Sequence, residues 1–214
     1  MAHIRHWREG EFDALAAAVR ELLREGGIAA VPTETFYALA VNPFDEAALT
    51  RLFALKARPP EKPVLVLVGT LGMLTQVVAG VPEVGDRLMA AFWPGPLTLI
   101  LPARPGLPDL LTGGTGTIGV RIPRQAATCR LLIALGFPVT GTSANRAGQP
   151  PLAGAEEVAR EFGGEVGLIL DTGRCPGGLP STIVDVTASP PRLVRAGAVP
   201  PRRLKEVVPE ITFG

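Results

Sequence analysis

Apolar runs rich in β-branched residues alternate with amphipathic ones along most of the chain. Over residues 11–25, Leu15, Val19, Leu22 and Leu23 recur at helical spacing, and the pattern stops at Gly26-Gly27. A helix with a glycine C-terminal stop is predicted there. Residues 28–31 then read as a short strand. A second helix is predicted over 45–55, capped by Asp45 and burying Leu49, Leu52 and Phe53. Pro59 and Pro60 forbid its continuation and push Arg58 toward extended backbone. Residues 64–68 are apolar throughout, as in a strand covered on both faces. Residues 97–101, 117–122, 139–142, 166–170, 182–186 and 192–194 read as further strands, and 126–135 and 156–162 as helices. The pattern predicts an α/β fold with a mixed sheet in one domain.

Residues 63–82 carry no charge, but Gly69 and Gly72 and the flanking prolines break any membrane span, leaving a buried strand followed by a short helix. There is no internal repeat. The 22 prolines and 25 glycines are spread throughout and mark many tight connections. From Pro200 onward the chain is proline-bounded and basic at Arg202, Arg203 and Lys205.

Composition narrows the function classes. With 214 residues, 47% of them hydrophobic, the chain is long enough and apolar enough to bury a substantial core. The 21 basic and 20 acidic residues leave a net charge of +1, no footprint for wrapping nucleic acid, so any such contact is secondary or transient. Cys129 and Cys175 form no metal-binding motif, and His3 and His6 lie in a charged N-terminal segment. This argues for a reducing compartment and against a zinc site or a histidine base. The segment MAHIRHWREGEFD has no apolar core for a signal peptide, so a cytoplasmic location is expected. The run Gly114 to Gly119 spells GxGxxG but is followed by a strand where a dinucleotide fingerprint needs a helix, and no P-loop motif occurs.

Two polar triplets carry the candidate chemistry: Lys56-Ala57-Arg58 and Ser143-Ala144-Asn145. In extended backbone, residues i and i+2 point to one side, so each triplet can present two polar side chains together. Two cations, a hydroxyl and an amide suit a polyphosphate, because cations offset its charge and neutral donors orient it. Several predicted strands also begin or end in hydroxyl, amide or arginine groups, among them Thr33 to Tyr37, Ser181-Thr182 and Arg195. Strand ends at one edge of an α/β sheet are where ligands bind. Arg121 lies inside an apolar strand, where an unpaired guanidinium is expensive, so it should meet an internal carboxylate or a ligand carboxylate.

Taken in order, VPTETFYAL, LKARPPEKPVLVLV, WPGPLTLIL, TIGVRIP, GTSANRAG, STIVD and LVRAGAV resemble the YrdC-like threonylcarbamoyl-AMP synthases, over roughly residues 15–200. The resemblance implies a twisted open mixed sheet with helices and a concave ligand cavity, in a short single-domain form with a catalytic domain over 1–200 and a tail over 201–214. It implies a nucleotidyltransferase that joins L-threonine, bicarbonate and ATP into threonylcarbamoyl-AMP and releases pyrophosphate. A partner transferase then modifies the tRNA adenosine beside the anticodon; weak tRNA contact is possible and no membrane is involved. It implies that Lys56, Arg58, Lys62, Thr117, Ser143, Asn145 and Arg195 surround ATP, with Lys56, Arg58, Ser143 and Asn145 at the chemistry. Thr33, Tyr37, Arg121 and Ser181 then sit near the threonine. Mg²⁺ would arrive on the phosphates, as no carboxylate cage is visible, and no protein metal site is expected. Ala38 departs from the family's glycine, where a methyl could narrow the cavity. Two other readings stand beside this one: a paralogue using another carbamoyl or acyl substrate, and an RNA-binding or ribosome-associated module.

Overall fold

A computed structural model describes residues 3–213. The elements in chain order are β1 (His3–His6), α1 (Phe12–Arg24), β2 (Ala29–Val31), β3 (Ala38–Ala40), α2 (Glu46–Lys56), β4 (Val66–Leu67), α3 (Glu83–Phe92) and β5 (Leu97–Pro102). They continue with α4 (Asp109–Thr112), β6 (Thr117–Arg121), α5 (Ala126–Leu135), β7 (Val139–Thr140), β8 (Thr142–Ser143) and α6 (Ala155–Phe162). The last are β9 (Leu168–Asp171), β10 (Thr182–Asp185), β11 (Arg192–Arg195), α7 (Pro201–Val207) and β12 (Thr212–Phe213).

The expected mixed sheet is realised as two. One has five strands in the order β1-β9-β2-β3-β8, the other seven in the order β12-β11-β10-β5-β6-β4-β7, and both contain parallel and antiparallel pairs. Strand periodicity explains how they stack. In β2, Ala29 and Val31 face the layer made by Phe12, Leu15, Val19 and Leu23 of α1 and Leu131 and Leu135 of α5. Ala30 faces the opposite way, into a larger core shared with Leu97, Leu99, Leu101, Val120 and Val184 of the seven-stranded sheet. Both faces of the smaller sheet are therefore covered, which is why its strands lack polar alternation.

The strand predicted over 139–142 is split between the sheets. Val139–Thr140 pairs with β4 and Thr142–Ser143 with β3, so the chain passes from one sheet to the other at Gly141. A Cβ on Gly141 would lie 2.5 Å from Leu67 Cγ, and only glycine permits this crossing. The helix predicted over 45–55 forms as α2, with the Asp45 carboxylate accepting from the Ala48 N–H at 3.0 Å. Beyond residue 200 the chain continues as α7, packed on α3, and β12, paired with β11. No described helix is long and apolar enough to cross a membrane.

Candidate active site

The two sheets diverge around a cavity of about 430 Å³, within the range of small-molecule sites. Its wall draws on chain segments far apart in sequence: the loop Thr33 to Tyr37 and Ala38 of β3, Arg58 and Leu65 beyond α2, Arg121 at the end of β6, Ser143 of β8, Ser181, and Arg195 at the end of β11. The Gly141 crossing also contributes to the wall. Seven of the sequence-predicted site residues line it: Thr33, Tyr37, Arg58, Arg121, Ser143, Ser181 and Arg195.

Three guanidiniums converge here, each braced on one edge. Arg58 donates through Nε to Lys62 O at 3.0 Å and through Nη2 to Pro63 O at 2.7 Å. Arg195 donates through Nε and Nη2 to Ser181 O and through Nη2 to Ser181 Oγ. Arg121, 3% exposed, donates through Nη1 to Glu34 Oε1 at 3.0 Å. Of the two expected anions the internal one is present, yet it occupies only one corner of the guanidinium. Arg121 Nε is buried and has no partner among the described residues. The edge carrying Nε and Nη2 is the one a carboxylate grips side-on with two parallel hydrogen bonds. An orphaned donor at this depth costs about 1–3 kcal/mol. Burial lowers the pKa of all three arginines; for Arg195 the neighbouring Arg121 and Arg58 guanidiniums add to it. Glu34 is the residue sequence reasoning passed over. It lies 87 positions from Arg121, and no periodicity links the two.

The first triplet differs from the extended geometry expected of it. Lys56 is the last residue of α2, and Ala57 takes the left-handed conformation at φ 51°. The result is convergence by another route. Lys56 is 3% exposed and lies behind the wall, where its Nζ donates to Ser143 O, to Asn145 O at 2.6 Å, and to Asn145 Oδ1 at 3.5 Å. Burial, with Arg58 adding, brings its pKa down to about 8, so the ammonium predominates near neutrality. Asn145 in turn accepts from Ser143 Oγ at 2.5 Å and donates to Arg146 O and Gln149 O. Lys56 and Asn145 thus fix the turn that presents Ser143, and neither lines the cavity. Lys62 is exposed and offers Arg58 its carbonyl. Thr117 stands four residues before Arg121, sharing a hydrogen bond with Thr115 Oγ1 at 2.9 Å, outside the lining set.

The hydroxyls differ in what they can offer. Thr33 donates to Phe36 O at 2.7 Å, so its proton shapes the loop. Tyr37 is fully buried, its Oη has no partner among the described residues, and burial raises its pKa. Ala38 borders the cavity from regular strand backbone paired with Ser143, and its methyl packs with Ala29, Val31 and Ala40 in the layer against α1 and α5. No group of three or more His, Cys, Asp or Glu side chains gathers among the described residues, and the Glu34 carboxylate behind the wall is held by Arg121 and by Arg124 N–H. These residues do not fit a protein-held Mg²⁺.

Residues 21–197 match the family model of the Sua5, YciO and YrdC proteins, described as "Telomere recombination". The chain is 38% identical over 189 residues to a "Threonylcarbamoyl-AMP synthase" of Pyrococcus abyssi, an alignment covering 88% of this chain and 56% of the relative. The chain therefore spans little more than half the length of that relative. Among solved structures, P. abyssi Sua5 complexed with L-threonine superposes with a TM-score of 0.91 at 34% identity, covering all of this chain and 62% of the other. E. coli YciO superposes with a TM-score of 0.85 at 28% identity, covering 95% of this chain and all of the other.

Proposed function

The chain belongs to the Sua5, YciO and YrdC family, and from that membership we propose that it makes threonylcarbamoyl-adenylate from L-threonine, bicarbonate and ATP, releasing pyrophosphate. The single observation that carries this reading is Arg121, a buried guanidinium held by Glu34 through Nη1 alone, lining one cavity together with Arg58 and Arg195. One bidentate carboxylate site beside two further cations matches an amino acid next to a polyphosphate.

In this reading Arg121 grips the threonine carboxylate, while Thr33, Tyr37 and Ser181 define the space for the rest of the molecule. Threonine nitrogen condenses with bicarbonate to give a carbamate and water. A carbamate oxygen then attacks the α-phosphorus of ATP, and the bond to pyrophosphate breaks. Arg58 and Arg195 stabilise the charge that moves onto phosphate oxygens, Ser143 borders the same space, and Lys56 and Asn145 hold Ser143 in place. Lys62 and Thr117 would meet the nucleotide only beyond the cavity. The chain is then a nucleotidyltransferase of the cytoplasm, its catalytic unit formed by residues 1–200, with 201–214 a tail whose α7 and β12 pack onto that unit. Its product passes to a transferase that modifies tRNA, with any direct tRNA contact weak.

Pyrophosphate release measured with each component omitted tests this. Turnover requiring ATP, threonine and bicarbonate together is expected. Turnover without bicarbonate, or better with another amino acid, would point to a different acyl or carbamoyl substrate.

A further inference from the structure

Beneath Ser181 lies a buried hydroxyl that these roles leave unused. Thr98, the second residue of β5, is 1% exposed, and its Oγ1 sits 3.0 Å from Ser181 Oγ. This is the sole hydrogen bond of the Thr98 side chain among the described residues. The same Ser181 oxygen accepts from Arg195 Nη2 at 3.0 Å. A guanidinium can only donate, so one lone pair of Ser181 is taken whichever way the hydroxyl pair is arranged.

We infer that Thr98 is a positioning residue that sets the polarity of Ser181: Thr98 donates to Ser181, both Ser181 lone pairs are filled, and the Ser181 proton is left for the cavity. In the reverse arrangement the Thr98 proton would be buried with no acceptor, which is the more costly defect; in this one only the two Thr98 lone pairs go unused. Ser181 is therefore a donor to whatever binds beside Arg121 and Arg195. It selects an acceptor such as a carboxylate or carbonyl oxygen and disfavours an ammonium in that place. The inference rests on the reading of threonine as the ligand, and deepens it to a direction for one hydrogen bond.

The test compares Thr98→Val, which keeps shape and loses the donor, with Thr98→Ser, which keeps the donor. By calorimetric titration, Thr98→Val should bind threonine about tenfold more weakly, with nucleotide affinity unchanged and a wild-type circular dichroism spectrum, and Thr98→Ser should recover most of the loss. Unchanged threonine affinity in Thr98→Val, an equal loss for both ligands, or no rescue by Thr98→Ser would each overturn it. Neutron diffraction of the unliganded protein reads the same polarity without any ligand: the deuteron of Thr98 should lie on the line to Ser181 Oγ, and a deuteron from Ser181 on that line would end the inference. A wild-type protein that binds no threonine would instead remove the functional reading, with the neutron map still deciding the polarity.

Discussion

Replacing Arg121 by lysine separates charge from geometry. An ammonium can keep the pairing with Glu34, which Arg121 now makes at 3.0 Å, but it has no planar edge with which to hold a carboxylate at two points. The loss expected is one charge-assisted hydrogen bond, roughly 1.5–3 kcal/mol. At 1.4 kcal/mol per decade, threonine should bind roughly tenfold to a hundredfold more weakly. The nucleotide should be affected far less, since Arg58 and Arg195 remain. Removing the cation altogether is less informative. Arg121→Leu strands Glu34, whose side chain is 14% exposed, beside an empty space, and a buried pair broken on one side costs about 3–5 kcal/mol of stability. Direct titration of threonine is the proper assay, because a Michaelis constant equals a dissociation constant only when chemistry is slow. Wild-type threonine affinity in Arg121→Lys, or a loss borne mainly by ATP, would refute the assignment of the unpaired edge to the amino acid.

Other expectations follow from the same geometry. Arg58→Ala should lower turnover at least tenfold while threonine affinity holds, since a charge-stabilising donor is removed away from the carboxylate grip; near-normal turnover would take Arg58 out of the reaction. Lys56 has a folded pKa near 8 against an ordinary 10.5, so the native chain loses this proton first as pH rises. The penalty for burying the ammonium is then full below pH 8 and relieved between 8 and 10.5, by roughly 3 kcal/mol. Urea unfolding of wild type and Lys56→Met at pH 7 and pH 10 should show the wild-type advantage growing by about that much; a flat difference would mean the shift is absent. Ala57→Gly should raise stability by about 0.5–1 kcal/mol, because a non-glycine residue at φ 51° is strained, and a lower melting temperature would show that the methyl packs usefully.

What the sequence made legible were the terms that act over a few residues. The spacing of Leu15, Val19 and Leu23, the cap at Asp45 and the apolar run around Arg121 each reflect a local free energy, and each appears in the structure to within a residue of where the pattern puts it. The illegible parts are pairwise and distant. Period-two alternation says that residues 139–142 are strand, but only the crowding of Gly141 by Leu65 and Leu67 decides that the strand must change sheets there. It is equally silent on α3, whose stripe of Val84, Leu88, Met89 and Phe92 has helical spacing and went unread, and on β3, whose three residues Ala38–Ala40 take their partners from β2 and β8. The triplets show the limit most clearly. Extended backbone was the simplest way to aim Lys56 and Arg58 together, yet the helix runs on to Lys56 and a left-handed Ala57 turns the chain instead. Two cations of one triplet are thereby given different work: Lys56 turns inward onto the carbonyls of Ser143 and Asn145, and Arg58 faces the cavity. A motif of spaced polar residues identifies which groups are held near one another; which of them meets the ligand depends on the carbonyls contributed by the other half of the site.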